Sequence, residues 1–287
     1  MSAELTISVV GGAAPTIVSK EALRYFYGSR VVSNPSVVKF KIVSGKPGQN
    51  FDFYELGALT VASIASTGAA NANTEWTHTQ RSVALTDWRG TNIRVPNVSQ
   101  EQSSFDYAKE FGIAAADALG EDMDIQVLSD YANFTTNAVG TAGNPTPDPM
   151  NDAVIRGLLA KIESQKVRRM DENMSLVLHP TSWYQLLADA DFKRADAIGG
   201  GKGVHISGMV LPIYGLKVLV TTSIRGTGAV KANLIFAQKA IGVVLNHDIR
   251  IATHDKLGDF SEAHLASYLG GSAVIQEQAG GVAYTAA

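Results

Sequence analysis

Residues 96–139 read PNVSQEQSSFDYAKEFGIAAADALGEDMDIQVLSDYANFTTNAV, and the fold turns on how this stretch is read. Ser99 followed by Gln102 is a capping-box spacing. The hydroxyl accepts one free amide at a helix start while the amide side chain reaches back to another. From there Phe105, Ala108, Gly112, Ala115, Leu119, Met123, Val127, Tyr131, Phe134 and Ala138 recur every three or four positions, laying one apolar stripe along a helix. At about 1.5 Å per residue the stretch predicts a strut of roughly 60 Å, longer than a compact domain of this size is wide. Gly120 is where such a strut would kink or divide into two helices in line; an ordinary core helix hairpin is the alternative. Glu121, Asp122 and Asp124 read as a solvated face, because helical neighbours one apart diverge by about 100°.

Upstream, residues 1–35 carry scattered Gly, Pro15, a short predicted helix over Ser19–Tyr27 and the Asn34-Pro35 break, with too few periodic apolar positions for a core of their own. They predict an arm. The aromatic trio Tyr25, Phe26 and Tyr27 is costly to leave in water, so the arm is expected to dock on a neighbour or on its own body. Val37–Val43 is a strand by β-branched content, Gly45–Gly48 a turn, and Phe51–Ile64 extended chain. Ser66–Asn73 is a small, polar, flexible tip, after which Thr74–Leu85 alternates. Thr74–Arg81 is polar on both faces, which predicts a ribbon standing out from the core. Thr91–Pro96 is a second extended piece feeding the long helix.

Downstream, Gly140–Pro149 is a loop or boundary, and Asp148-Pro149 reads as the cap and first turn of a helix burying Val154, Ile155, Leu158, Leu159 and Ile162. Leu176–Leu178 is a short buried strand. Pro180 opens a helix through Ala188 with Trp183, Leu186 and Leu187 inward, so a mixed α/β layer is predicted. Residues 189–208 form a loop around Gly199–Gly203; Val210–Ser223 is extended with Gly215 as a turn; Leu234–Ala237 is a strand and Val243–Thr253 one or two more. The tail reads as strands punctuated by Gly270-Gly271 and Gly280-Gly281.

The totals bound the function. With 24 basic and 27 acidic residues, the chain carries a net charge of −3, which argues against a nucleic-acid groove or a membrane patch held by charge. Charged residues are only 18% and glycines number 27, as fits a surface covered by partners or extended loops, or a Gly-rich sheet protein. The absence of cysteine excludes disulfides and thiol chemistry. Residues 1–14 make a poor signal peptide, and no apolar run approaches the ~20 residues that cross a bilayer, so a soluble chain made in the cytoplasm is expected.

The search for chemistry finds no anchor. Gly201-Lys202 has Asp196 where a phosphate loop needs its first Gly and Gly203 where it needs Ser or Thr; Val204 and Ile206 break the dinucleotide pattern. His247, Asp248, His254, Asp255, Asp259 and His264 lie close in sequence without a helical metal spacing, and His247 and Asp248 point to opposite faces of a strand. No GxSxG elbow exists, and His179 is best explained as a strand end capping the next helix. No catalytic residue, cofactor or metal is expected.

The order of elements, with Leu176–Leu187, Ile206–Gly215, Val218–Ile224, Ala237–Leu245 and Ala266–Gln276, resembles the major capsid protein of tailed bacteriophages, the Hong Kong 97 fold. The resemblance implies an α+β chain divided into an amino-terminal arm (1–35), an extended β-hairpin loop with flanking strands (36–95) and the spine helix of a peripheral domain (96–144). An α/β axial domain (145–235) and strands returning to the periphery (236–287) follow. It further implies hexamers and pentamers closing into an icosahedral shell around double-stranded DNA. A separate scaffolding protein, a portal and a decoration protein are the expected partners, with no membrane involved. Assembly-interface candidates are Tyr25, Phe26, Tyr27, Arg30, Trp76, Arg81 and Lys202. An encapsulin-type cellular shell and a metal-dependent hydrolase built on the histidines of 247–264 are the competing readings.

Overall fold

The computed structural model describes residues 24–26, 28–43, 50–56, 78–96, 107–167, 173–189, 213–256 and 261–286. Within them run strands β1 (Lys39–Ile42), β2 (Asn50–Leu56), β3 (His78–Ala84), β4 (Asp87–Pro96), β5 (Ala138–Val139), β6 (Met174–Leu178), β7 (Lys217–Val220), β8 (Val230–Ala237), β9 (Ile241–Lys256), β10 (Ser261–Val274) and β11 (Gly280–Ala286). The longer helices are α1 (Tyr107–Ser129), α2 (Asp152–Ser164) and α3 (Pro180–Ala188). No helix among the described residues is long and apolar enough to cross a membrane.

Two sheets divide the chain. One has the order β1-β9-β10-β4, with β1 parallel to β9 and the rest antiparallel; the other runs β5-β11-β8-β6-β7. Among the described residues β2 and β3 pair only with each other, Phe53 opposite Arg81. β9 and β10 are long because they pair with each other over nearly their whole length, and β9 is one strand of 16 residues rather than two. Nor do Gly270 and Gly271 interrupt β10, as the sequence suggests. They stand where a side chain would strike Leu245 and the carbonyl of Ala84, so their role is close approach. β11 ends in the five-stranded sheet beside β8.

Residues 96–139 divide differently from the expectation. Its described helix covers 23 residues, about 35 Å, and runs unbroken through Gly120. It closes in a 3-10 turn at Asp130–Asn133, and Ala138–Val139 is already a strand against Val282–Ala283. Gly112, Ala115, Leu119, Met123 and Val127 do face inward. Phe134 is buried too, but from a loop, where its ring fills the space that a side chain at Gly280 would need. The helical spacing therefore outlasts the helix, because core burial continues after the chain has changed direction. The capping pair Ser99 and Gln102 lies outside the described residues.

Two other expectations change. α2 starts three residues after Pro149: Asn151 is its cap, its side-chain oxygen accepting from Val154 N–H at 2.9 Å. Asp124 belongs to no solvated face; it is 2% exposed. One apolar core runs through both sheets, from Phe26 and Phe111 to Trp183, Phe236 and Val282. A second, small cluster of Phe53, Val83, Leu85, Val244 and Ile275 seats the base of the β2–β3 hairpin on the first sheet.

Candidate assembly surfaces

The root of the arm is held by α1. Asp124 projects between residues 31 and 33 and accepts from Val31 N–H (2.7 Å), Val32 N–H (3.1 Å), Ser33 N–H (2.8 Å) and Ser33 Oγ (2.7 Å). Three consecutive amides converging on one buried carboxylate satisfy a stretch of backbone that makes no helix or ladder of its own. One turn earlier Gly120 lets Ser29 approach, since a side chain there would strike its hydroxyl. Arg30, 3% exposed, lies with its guanidinium 4.5 Å from the Phe26 ring centre and 5.1 Å from that of Phe40, and donates to Met123 Sδ at 3.6 Å. Beside this root, Arg24, Tyr25, Gly28, Ser29, Lys109, Ile113 and Asp117 line an open cleft.

The hairpin is the opposite case. β3 buries only Val83; His78 to Ser82 are exposed. Its outward face carries Asp52 bonded to Ser82 and Tyr54 against His78. β4, the edge of the four-stranded sheet, exposes Trp88 at 72%. Its inward face is tied to α1: Arg89 reaches Asp122 at 3.7 Å, Gln126 donates to Asp87, and buried Tyr268 on β10 donates to Asp122 at 2.9 Å. Burial, and then the charge of Asp122, hold the Tyr268 phenol far above its ordinary range, so it stays a donor.

The sheets are joined by crossings at residues 134–137, 237–241 and 274–280, laced to one another. Ala240 O accepts from Ile275 and Gln276 N–H, and buried Asn137 donates to Gln278 O and Gly280 O. Glu277 Oε1 alone accepts from the amides of Thr135 (3.0 Å) and Thr136 (2.9 Å) and from their hydroxyls (2.6 and 2.8 Å). The hydroxyl bonds, then the amides, hold its carboxyl below the usual range. Asp130 nearby is pushed the other way by burial, against the bond from Ser272.

In the five-stranded half, His179 caps α3 as expected, its Nδ1 accepting from Thr181 N–H, and burial and Lys231 lower its pKa. Tyr214 and Gly215 have φ of 53° and 78°, the left-handed pair a two-residue hairpin turn requires. From this turn Tyr214 donates to Asp152 at the start of α2, where Arg156 pairs at 2.5 Å.

The sequence-predicted interface residues separate cleanly. Tyr25 is 45% exposed and Arg81 is exposed on β3. Phe26, fully buried, and Arg30 are engaged within this chain and present no surface to a neighbour. Tyr27, Trp76 and Lys202 lie outside the described residues. So does Asp259 of the proposed histidine cluster; His247 and His254 stand seven positions apart on β9, roughly 23 Å of extended chain. His264 is buried with its ring 5.9 Å from Phe111. Among the described residues no group of three or more metal-ligating side chains forms. Sequence reasoning missed Trp88 and Asp124. The first alternates with inward-facing positions on an edge strand, and the second is an acid at a core spacing.

These elements together define an α+β chain with the Hong Kong 97 capsid fold. No family model and no curated protein matches the sequence. Solved structures match most of its length. The head structure of Helicobacter pylori bacteriophage KHP40 aligns with a TM-score of 0.68 at 13% identity, over 86% of this chain and 88% of that one. The capsid structure of Cyanophage P-SCSP1u gives 0.66 at 16%, over 90% and 89%. A virus-like particle from Pyrococcus furiosus gives 0.59 at 14%, over 92% and 96%.

Proposed function

We infer that this chain is a shell subunit, the major capsid protein of a tailed phage, and that its role is structural rather than catalytic. Hexamers and pentamers of it close an icosahedral wall around double-stranded DNA in the virion, with a scaffolding protein, a portal and a decoration protein as partners. The observation that carries this reading is the match of nearly the whole chain to shell proteins, with no large part left over for another activity. The surfaces support it. A strand, β3, with His78 to Ser82 all exposed, and an exposed Trp88 on a sheet edge are wasteful in a monomer, whereas across a wall many modest contacts add through multivalency. Within it, residues 1–35 act as the arm and 36–95 include the loop over a neighbour. The spine occupies 96–144, the axial domain 145–235, and axial strands returning to the peripheral domain 236–287.

The likeness to the Pyrococcus furiosus particle favours a second reading, an encapsulin-type compartment that holds a cargo protein. Particles purified from the native source separate the two: nuclease-protected double-stranded DNA is the expected content, and a stoichiometric enzyme cargo without DNA would replace the phage reading by the compartment one.

A further inference from the structure

The crossings between the two sheets carry an inference that rests on the shell reading. Three segments connect the four-stranded half and the five-stranded half, and two of them, 134–137 and 274–280, are tied on their solvent side by Glu277. We propose that Glu277, gripped by Thr135 and Thr136, is a positioning residue that sets the angle between the two sheets and thereby the curvature of the shell.

Three observations support this. Thr135 and Thr136 lie on the path from α1 to β5, and Glu277 lies on the path from β10 to β11, so the clamp joins two of the three crossings at the joint itself. All four donors converge on a single oxygen, which fixes the carboxylate in position as well as in distance. The bonds are exposed, unlike those of neighbouring Asn137, which is 1% exposed and belongs to the core. The core on either side is close-packed and continuous through both halves, so it tolerates only small rotations about the joint. A clamp on the solvent side selects among those small rotations without holding the fold together. In a closed shell a small angular error per subunit repeats in every copy, so it appears in particle size beyond any change in subunit stability.

The test uses the full chain as wild type, Glu277→Ala and the double variant Thr135→Val/Thr136→Val, expressed under conditions that give wild-type particles. Circular dichroism and melting of the dissociated subunits report the fold, and electron microscopy reports particle diameters. The expected result is native subunit spectra with a shifted or broadened diameter distribution in both variants. Should Glu277→Ala fail to fold, Glu277→Met keeps the approximate length of the side chain without an oxygen acceptor and is read in the same way. Folded variants giving the wild-type diameter distribution would overturn this inference alone. No particles from the wild type would overturn the shell reading and this inference with it.

Discussion

Asp124 shows how much one side chain can hold. It sits on α1 among small and apolar neighbours, and its carboxylate replaces water for three amides and a hydroxyl of residues 31–33. Replacing it by Ala strands those buried donors, each worth about 1–3 kcal/mol, so Asp124→Ala is expected to cost about 3 kcal/mol or more in denaturant unfolding. Amide exchange at residues 31–33 should rise in the same variant. Unchanged protection there would remove Asp124 from this role. Glu277 permits a prediction with a sign. Its folded pKa is depressed, so the unfolded chain binds a proton more readily; the stabilisation is present above the ordinary glutamate pKa of 4.5 and is lost as pH falls through the folded value. The difference in melting temperature between wild type and Glu277→Gln should therefore shrink from pH 7 toward pH 3. A difference that grows on acidification would contradict the hydrogen-bond account of this group.

At the scale of elements, the hairpin is held by a small seat, and the seat depends on glycine. A side chain at Gly271 would meet the main-chain carbonyl of Ala84 on β3, which cannot swing aside as a side chain can. Gly271→Ala is expected to destabilise by about 1–3 kcal/mol and to raise protease cleavage near residues 50–84, read by limited proteolysis with mass mapping. Strands with strong alternation or continuous apolar runs were legible in the sequence: β6 is buried at all five positions, and β8, α2 and α3 fall close to where periodicity puts them. Two kinds of feature were not legible. The end of α1 was hidden because Phe134 and Ala138 enter the same core at a helical spacing after the helix has ended. The run through Gly270-Gly271 was hidden because the physical cause, crowding by Leu245 and Ala84, lies on other strands. Long-range partners decide both.

At the scale of the molecule, the described root of the arm belongs to the core. The buried contacts described for the arm begin at Phe26, and a chain starting at residue 24 keeps all of them, so it is expected to melt as the full chain does and to fail in forming normal shells. Deleting residues 1–33 instead removes Phe26, Arg30 and Val32 and leaves Asp124 without partners, a loss of about 5 kcal/mol or more. The sequence read residues 1–35 as one detachable arm because their apolar positions lack a period. Phe26 and Val32 need none, since they dock on a helix whose stripe already exists. The order of elements across the chain was legible because each half alternates its strands and helices in a recognisable order. Which exposed residues meet a neighbour was far less so, since Trp88 differs from a core aromatic only in the face that its strand turns outward.

The central claim is that this chain builds a wall from copies of itself. The most direct measurement is to express it alone, sediment the lysate and image the fast fraction by negative-stain electron microscopy. The account predicts shells, curved sheets or capsomer rings made of this chain. A monodisperse monomer at micromolar concentration, with no ring or sheet at any salt or pH where it stays folded, would contradict it.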